Sequence, residues 1–271
     1  MNERMQEDIF VEQNKQAWNE KSYEAWTYRF GTPQQAAEKI KKDPTKRLSP
    51  LYEYMGDVSG KKIVNVLGSH GSKAVALSLL GADVTVIDLS EPNKRYAEEL
   101  AQAAGTSIRY VCSDVLHLPT EELTGDYDLV LTENGILHYF TDLAPFFATI
   151  RQLLKPGGRL ILQDFHPIST KLISSQGKNQ ASRKHKVAGN YFSEALETTD
   201  ISYAKFLPEL QYATAQERKP YEVQIRKWTL GEIVTAIGQA RLLITNLQEE
   251  GHAGDFDHGI PKTFIIEAEC L

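Results

Sequence analysis

The chain reads as a doubly wound α/β domain, a mostly parallel sheet covered by helices on both faces and closed by an antiparallel strand at its C-terminal end. Three observations predict this. From Lys61 to Gln163 short apolar runs alternate with helix-period segments, the pattern of a parallel sheet with helical crossovers. The first unit, KKIVNVLGSHGSKAVALSLLGADVTVIDLS, runs strand, glycine turn, small-residue helix, strand and acid, the outline of a nucleotide-binding βαβ unit. Two final apolar runs, 242–247 and 263–268, are joined by a loop rather than a helix, so the two strands form an antiparallel hairpin.

Composition bounds the rest. With 271 residues, 41% hydrophobic and 24% charged, the chain suits one large domain or a domain with an insertion. A net charge of -6 argues against general affinity for nucleic acid, and the basic clusters at 39–47 and 183–186 read as solvated surface. Two cysteines, Cys112 and Cys270, sit in no ligand or disulfide pattern and fit a reducing compartment. The first residues lack an apolar core of signal-peptide length, and no later run approaches the roughly 20 apolar residues of a membrane span, so a soluble cytoplasmic protein is expected.

Residues 1–60 read as a helical cover, with crowded aromatics from Trp18 to Phe30 suggesting one or two short helices. Thr32, Pro33 and Gln35 form a capping-box start, and Asp43-Pro44 stops that helix. After the first βαβ unit, Ser90 caps a helix ended by Gly105, and a third strand over 108–112 closes on Asp114. A fourth strand spans 127–132, a helix 142–154, and Lys155-Pro156-Gly157-Gly158 stops the chain before a fifth strand at 159–163. Residues 165–227 are polar and irregular, a length usual for a lid with some structure of its own. Thr229 and Glu232 then open a last helix, ending about Ala240.

Taken in order, the glycine turn, the Asp88 strand end, the step Ser113-Asp114-Val115, the strand at Tyr127 and the Pro-Gly-Gly stop resemble the class I S-adenosylmethionine-dependent methyltransferases. The resemblance covers Lys61 to Gln163 and, with the closing helix and hairpin, implies a seven-stranded Rossmann-like sheet with a reversed last strand. It divides the chain into the cover, 1–60, and a methyltransferase domain, 61–271, that includes the lid insertion 165–227. It implies S-adenosyl-L-methionine as cofactor and a small-molecule methyl acceptor. The family's first motif, an acid and alternating glycines, falls on Asn65, Leu67, Ser69 and Gly71, with Gly68 expected to supply the permissive backbone. By the same resemblance Asp88 serves the ribose, with Leu89 also in the cofactor site, Asp114 the adenine amino group and Val115 its ring, while Thr132 and Glu133 flank the methyl donor.

Methyl transfer asks the protein to align groups and, for some acceptors, to remove a proton. His138 and His166, each following a strand that ends at the site, are the candidate bases because histidine titrates near neutrality. Tyr139 and the insertion's aromatics are expected around the substrate. His70 reads as packing in the turn, and His252, Asp255, Asp257 and His258 as a solvated loop, so no metal is expected. Two readings compete: an NAD-dependent oxidoreductase, for which Gly-x-Gly-x-x-Gly is absent, and a non-catalytic nucleoside-binding relative, suggested by the altered first motif.

Overall fold

The computed structural model describes residues 3–176, 184–201, 203–208, 221–251 and 259–271. Five strands run parallel: β1 (Lys62–Val66), β2 (Asp83–Asp88), β3 (Arg109–Cys112), β4 (Tyr127–Glu133) and β5 (Leu154–Phe165). Two short antiparallel pairs follow, β6 (Ile173–Gln176) with β7 (Lys184–Val187) and β8 (Leu196–Ile201) with β9 (Tyr221–Arg226). The closing hairpin, β10 (Leu242–Gly251) and β11 (Pro261–Cys270), completes a seven-stranded sheet in the order β10-β11-β5-β4-β1-β2-β3. The reversed strand β11 lies inside, pairing antiparallel with β5, and β10 forms the edge.

Strand alternation splits the apolar residues between two cores. Ile63 faces one and Val64 the other, both fully buried. On the first side lie α2 (Ser22–Phe30), α3 (Pro33–Lys42), α4 (Pro44–Leu48), α6 (Ser72–Leu79) and α7 (Glu91–Ala104). On the second lie α8 (Ala144–Leu153) and α9 (Leu230–Gln239), which bury Phe146, Phe147 and Ile237. Each such side chain contributes about 1.5–3 kcal/mol by leaving water.

The caps form as their chemistry requires. Thr32 and Gln35 make the reciprocal box at α3, Ser90 accepts from the Asn93 amide at α7, and Thr229 with Glu232 caps α9. Three elements differ from the sequence reading. The N-terminal segment carries five helices, including a seventeen-residue α1 (Glu3–Asn19) and the short α5 (Tyr52–Met55); Asp43 ends α3 yet also caps α4, because its carboxylate accepts from the Lys46 amide. The Pro-Gly-Gly segment does not precede β5 but bulges within it: Tyr127 pairs with Leu154 and Leu129 with Arg159, leaving 155–158 unpaired. The insertion is not irregular throughout, since β6 to β9 form hairpins with few buried side chains to mark their period. Strand β9 packs on α1, and the turn Tyr203–Phe206 packs on α2. Among the described residues no helix is long and apolar enough to cross a membrane.

Candidate active site

The site lies at the carboxyl ends of the parallel strands, where β1 turns into α6. Leu67 and Ser69 both take φ 49° and Gly71 takes φ 70°, so the three positions matching the family's glycines are the ones in the left-handed region. Gly68 has no positive φ. It is glycine for space, since a Cβ there would meet Asn65 Oδ1 and Val86 Cγ1 at 2.8 Å. The permissive backbone expected of Gly68 is thus taken up by Leu67 and Ser69, at a cost on the order of 1–2 kcal/mol each for an L-residue. Gly71 is closed in by Ala97, whose Cβ a side chain would meet at 2.5 Å.

The turn is held from beneath. The Ser69 amide donates to Asp88 Oδ2 at 3.0 Å, and the Tyr110 hydroxyl donates to the Ser69 carbonyl at 2.8 Å. Asp88 Oδ1 accepts from the Ser90 amide at 3.0 Å and the Asn93 side-chain amide at 3.4 Å. Burial raises the Asp88 pKa, and these N–H donors pull against it.

Two hollows meet above this turn. A narrow slot runs between Leu67, Asp88, Leu89, Asp114 and Val115 on the sheet side and Asn14 and Trp18 of α1 opposite. A wider cavity of ≈ 670 Å³ opens over Gly68, Ser69, Lys73 and Glu133 beneath Trp26, Arg47 and Tyr203. Trp18, Leu67, Asp88 and Tyr139 line both. Asp114 sits in the slot with one oxygen on the Leu116 amide at 3.0 Å and the other against His117 Nδ1 at 2.7 Å. Glu133 pairs with Lys73, from the first turn of α6, and accepts from Asn134 Nδ2 at 2.9 Å.

Asn65, Thr132 and Gly71 lie off both hollows. Asn65 is buried and donates to the Leu131 carbonyl at 3.2 Å, bracing β1 on β4. Thr132 is fully buried, its hydroxyl unpartnered. The two candidate bases are likewise elsewhere. His138 lines a separate cavity of ≈ 210 Å³ with Phe165, Lys227 and Trp228, and burial, with Lys227 adding, lowers its pKa to about 4. His166 donates from Nε2 to Glu249 Oε1 at 2.6 Å, and its Nδ1 accepts from the Ile168 amide at 3.1 Å. The loop after β4, which carries His138, is turned by Asp164, whose carboxylate accepts the amides of Gly135, Ile136 and Leu137, whereas His166 follows β5 with its ring held by Glu249 of β10.

His70, expected only to pack, does pack, between Phe30 at 4.7 Å and Trp26 at 4.6 Å, but it also lines the wide cavity. Residues with no signal in the sequence complete the walls. Asn14 lines the slot at 5% exposure, and its buried Oδ1 has no partner. Arg47 belongs to the run read as solvated surface, yet its guanidinium donates to Ser72 Oγ from Nε at 2.8 Å. The cluster His252, Asp255, Asp257 and His258, like Tyr212 and Arg183, lies outside the described residues; among those described, no group of three or more potential metal ligands comes together.

The model of a methyltransferase domain family matches residues 66–162. A ubiquinone biosynthesis O-methyltransferase of Bordetella avium is 32% identical over 112 residues, 41% of this chain and 46% of that protein. A demethylmenaquinone methyltransferase of Thermus thermophilus is 30% identical over 40% of this chain and 48% of its own length. The chain thus spans just under half the length of these two relatives. In fold it is similar to the crystal structure of an S-adenosylmethionine dependent methyltransferase from Mesorhizobium loti, with TM-score 0.60 and 22% identity over 81% of this chain and 95% of that one. Residues 66–162 thus match a methyltransferase domain, and the sheet order with its reversed β11 gives the chain the fold of the solved S-adenosylmethionine dependent methyltransferase it resembles.

Proposed function

We propose that the protein transfers the methyl group of S-adenosylmethionine to a small molecule bound in the wide cavity. The observation that carries this reading is the junction of slot and cavity at Leu67, Asp88, Trp18 and Tyr139. A donor spanning it would have its nucleoside in the slot and its reactive end over the glycine turn, facing the acceptor.

The residues present fit such a donor. Asn14 Oδ1 is a buried acceptor without a donor, and a hydroxyl or amino group of a nucleoside would satisfy it. Asp88 has lone pairs beyond those its three donors use, enough to receive a ribose hydroxyl. Leu89, Asp114 and Val115 would border the adenine, and Leu67, Gly68 and Ser69 the methionine end, with Glu133 beside it. Arg47, at the first turn of α6, would answer a carboxylate. Asn65, Thr132 and Gly71 would support this wall without touching it.

The sulfonium supplies a methyl group already activated for attack. The chain's own task is to hold the acceptor in line and to keep water out. Trp18 and Asn14 of α1 roof the slot, and Tyr203 of the insertion roofs the cavity. We therefore assign residues 1–60 and 165–227 as cover and lid over the domain of residues 61–271. His138 and His166 stand apart from the cavity, so the acceptor's own nucleophile carries more of the work than either imidazole.

Calorimetry of the full chain with S-adenosylmethionine and with S-adenosylhomocysteine tests the reading. Binding of both, weakened in Asp88→Asn, is expected. Absence of heat with either at high micromolar concentration would overturn it.

A further inference from the structure

We infer that the methyl acceptor is a small organic anion, an aromatic or apolar body bearing a carboxylate or phosphate, held by Arg29 and Lys46 at the mouth of the wide cavity. This rests on the methyltransferase reading and names its substrate class. The chain as a whole is acidic, with a net charge of -6, yet the charged groups lining this cavity are Arg29, Lys46, Arg47 and Lys73 against Asp88 and Glu133. Lys73 is neutralised by Glu133, which leaves Arg29, Lys46 and Arg47 against the single carboxylate of Asp88, itself held by N–H donors of its own turn. Among the described residues none of Arg29, Lys46 and Arg47 has a carboxylate partner within ion-pair distance, although acidic side chains are abundant on this protein.

The donor does not answer this charge. S-adenosylmethionine carries one carboxylate, which Arg47 would meet, together with an ammonium and a sulfonium, so it adds positive charge to the cavity. With a neutral acceptor, Arg29 and Lys46 at the mouth and the half-buried Arg47 behind them would face a cationic donor with no anion between them. An anionic acceptor removes that conflict and makes charge-assisted hydrogen bonds.

The surroundings specify the body that bears the anion. The Arg29 guanidinium lies 5.3 Å from the centre of the Phe30 ring and that of Arg47 5.4 Å from the same ring. Trp26 stacks beside Phe30 at 5.9 Å and meets Tyr203 edge-on at 5.1 Å. Phe30 and Trp26 thus give an aromatic wall beside the two arginines, with Tyr203 standing edge-on to it.

The experiment titrates the full-length protein, saturated with S-adenosylhomocysteine, by calorimetry. The probes are naphthoate, naphthyl phosphate and neutral naphthol, with benzoate and benzyl alcohol as a smaller pair. In at least one set the anion is expected to bind about tenfold tighter than the neutral compound, the size of one charge-assisted hydrogen bond. Naphthoate against naphthyl phosphate tells which head group is preferred. In Arg29→Gln/Lys46→Gln the preference should fall to about threefold or less, while S-adenosylhomocysteine affinity and melting temperature stay those of the wild type. The inference is overturned if the neutral compounds bind as tightly as the anions in both sets. It is equally overturned if no anion binds at millimolar concentration, or if the preference survives in the double variant. Failure of S-adenosylhomocysteine itself to bind would instead remove the methyltransferase reading, and the same anion titrations on the unliganded protein would still decide the role of the cations.

Discussion

Ser69 sits at φ 49° where glycine would be unstrained, and every polar contact that fixes it runs through its backbone. Its side chain adds only a 3.4 Å approach to His70 Nδ1. Ser69→Gly should therefore relieve about 1–2 kcal/mol of left-handed strain and lose about 0.5–1 kcal/mol to unfolded-state entropy, leaving stability unchanged or higher by up to about 1.5 kcal/mol in urea unfolding. Leu67→Gly is the contrasting case, because Leu67 also packs against the second core. A measurable loss of stability in Ser69→Gly would contradict the account of the turn. Asn14 offers a second test. If its orphaned Oδ1 accepts a hydrogen bond from the bound nucleoside, Asn14→Leu should weaken S-adenosylhomocysteine about fivefold to tenfold, one hydrogen bond's worth. The apo protein should not be destabilised, since that oxygen has no partner to lose.

At the scale of elements, α9 is tied to the insertion through one carboxylate. Glu232 accepts from the Thr229 amide and hydroxyl, both at 2.8 Å, and pairs at 2.7 Å with Arg226, which lies over the Trp228 ring at 3.7 Å. Burial alone would raise the Glu232 pKa; the Thr229 donors and Arg226 outweigh it and hold it below 4.5. A depressed carboxylate pKa contributes stability above its unfolded value and loses it as pH falls through the folded one. Glu232→Gln should lower the melting temperature at neutral pH, and the difference from wild type should shrink below pH 4.5. This capping box was legible in the sequence because a cap needs only local chemistry at fixed spacing, as at Thr32 and Ser90. Asp88 and Asp114 were legible for a related reason: each directly follows or ends an apolar run, and strand ends of a parallel sheet open on its ligand site. The histidines were not. The course of the loop that carries His138 depends on Asp164 across 27–29 residues, and the ring of His166 on Glu249 across 83, contacts that no local pattern records. Arg47 escaped notice because side-chain direction on a short helix in a basic run is decided by the neighbouring α6, through Ser72.

Across the whole molecule, the cover, the turn and the cavity meet at His70, and acid should reveal how tightly. Burial, reinforced by Arg47, Arg29 and Lys73, lowers the His70 pKa to about 3. Burial with Lys227 lowers that of His138 to about 4. In the unfolded chain both return to 6.5, so as pH falls below that value the unfolded state takes up protons that the folded state refuses. The histidines' share of folding stability then declines from pH 6.5 downward, ending at about 4 for His138 and about 3 for His70. His70→Phe isolates one share, because a phenyl ring keeps the stack with Phe30 and Trp26 and cannot be protonated. Urea midpoints measured from neutrality down through this window should fall less steeply in His70→Phe than in wild type. Equal slopes would mean that His70 is charged in the folded protein, and α2 would then be resting on a cation beside Arg47 instead of on a neutral ring.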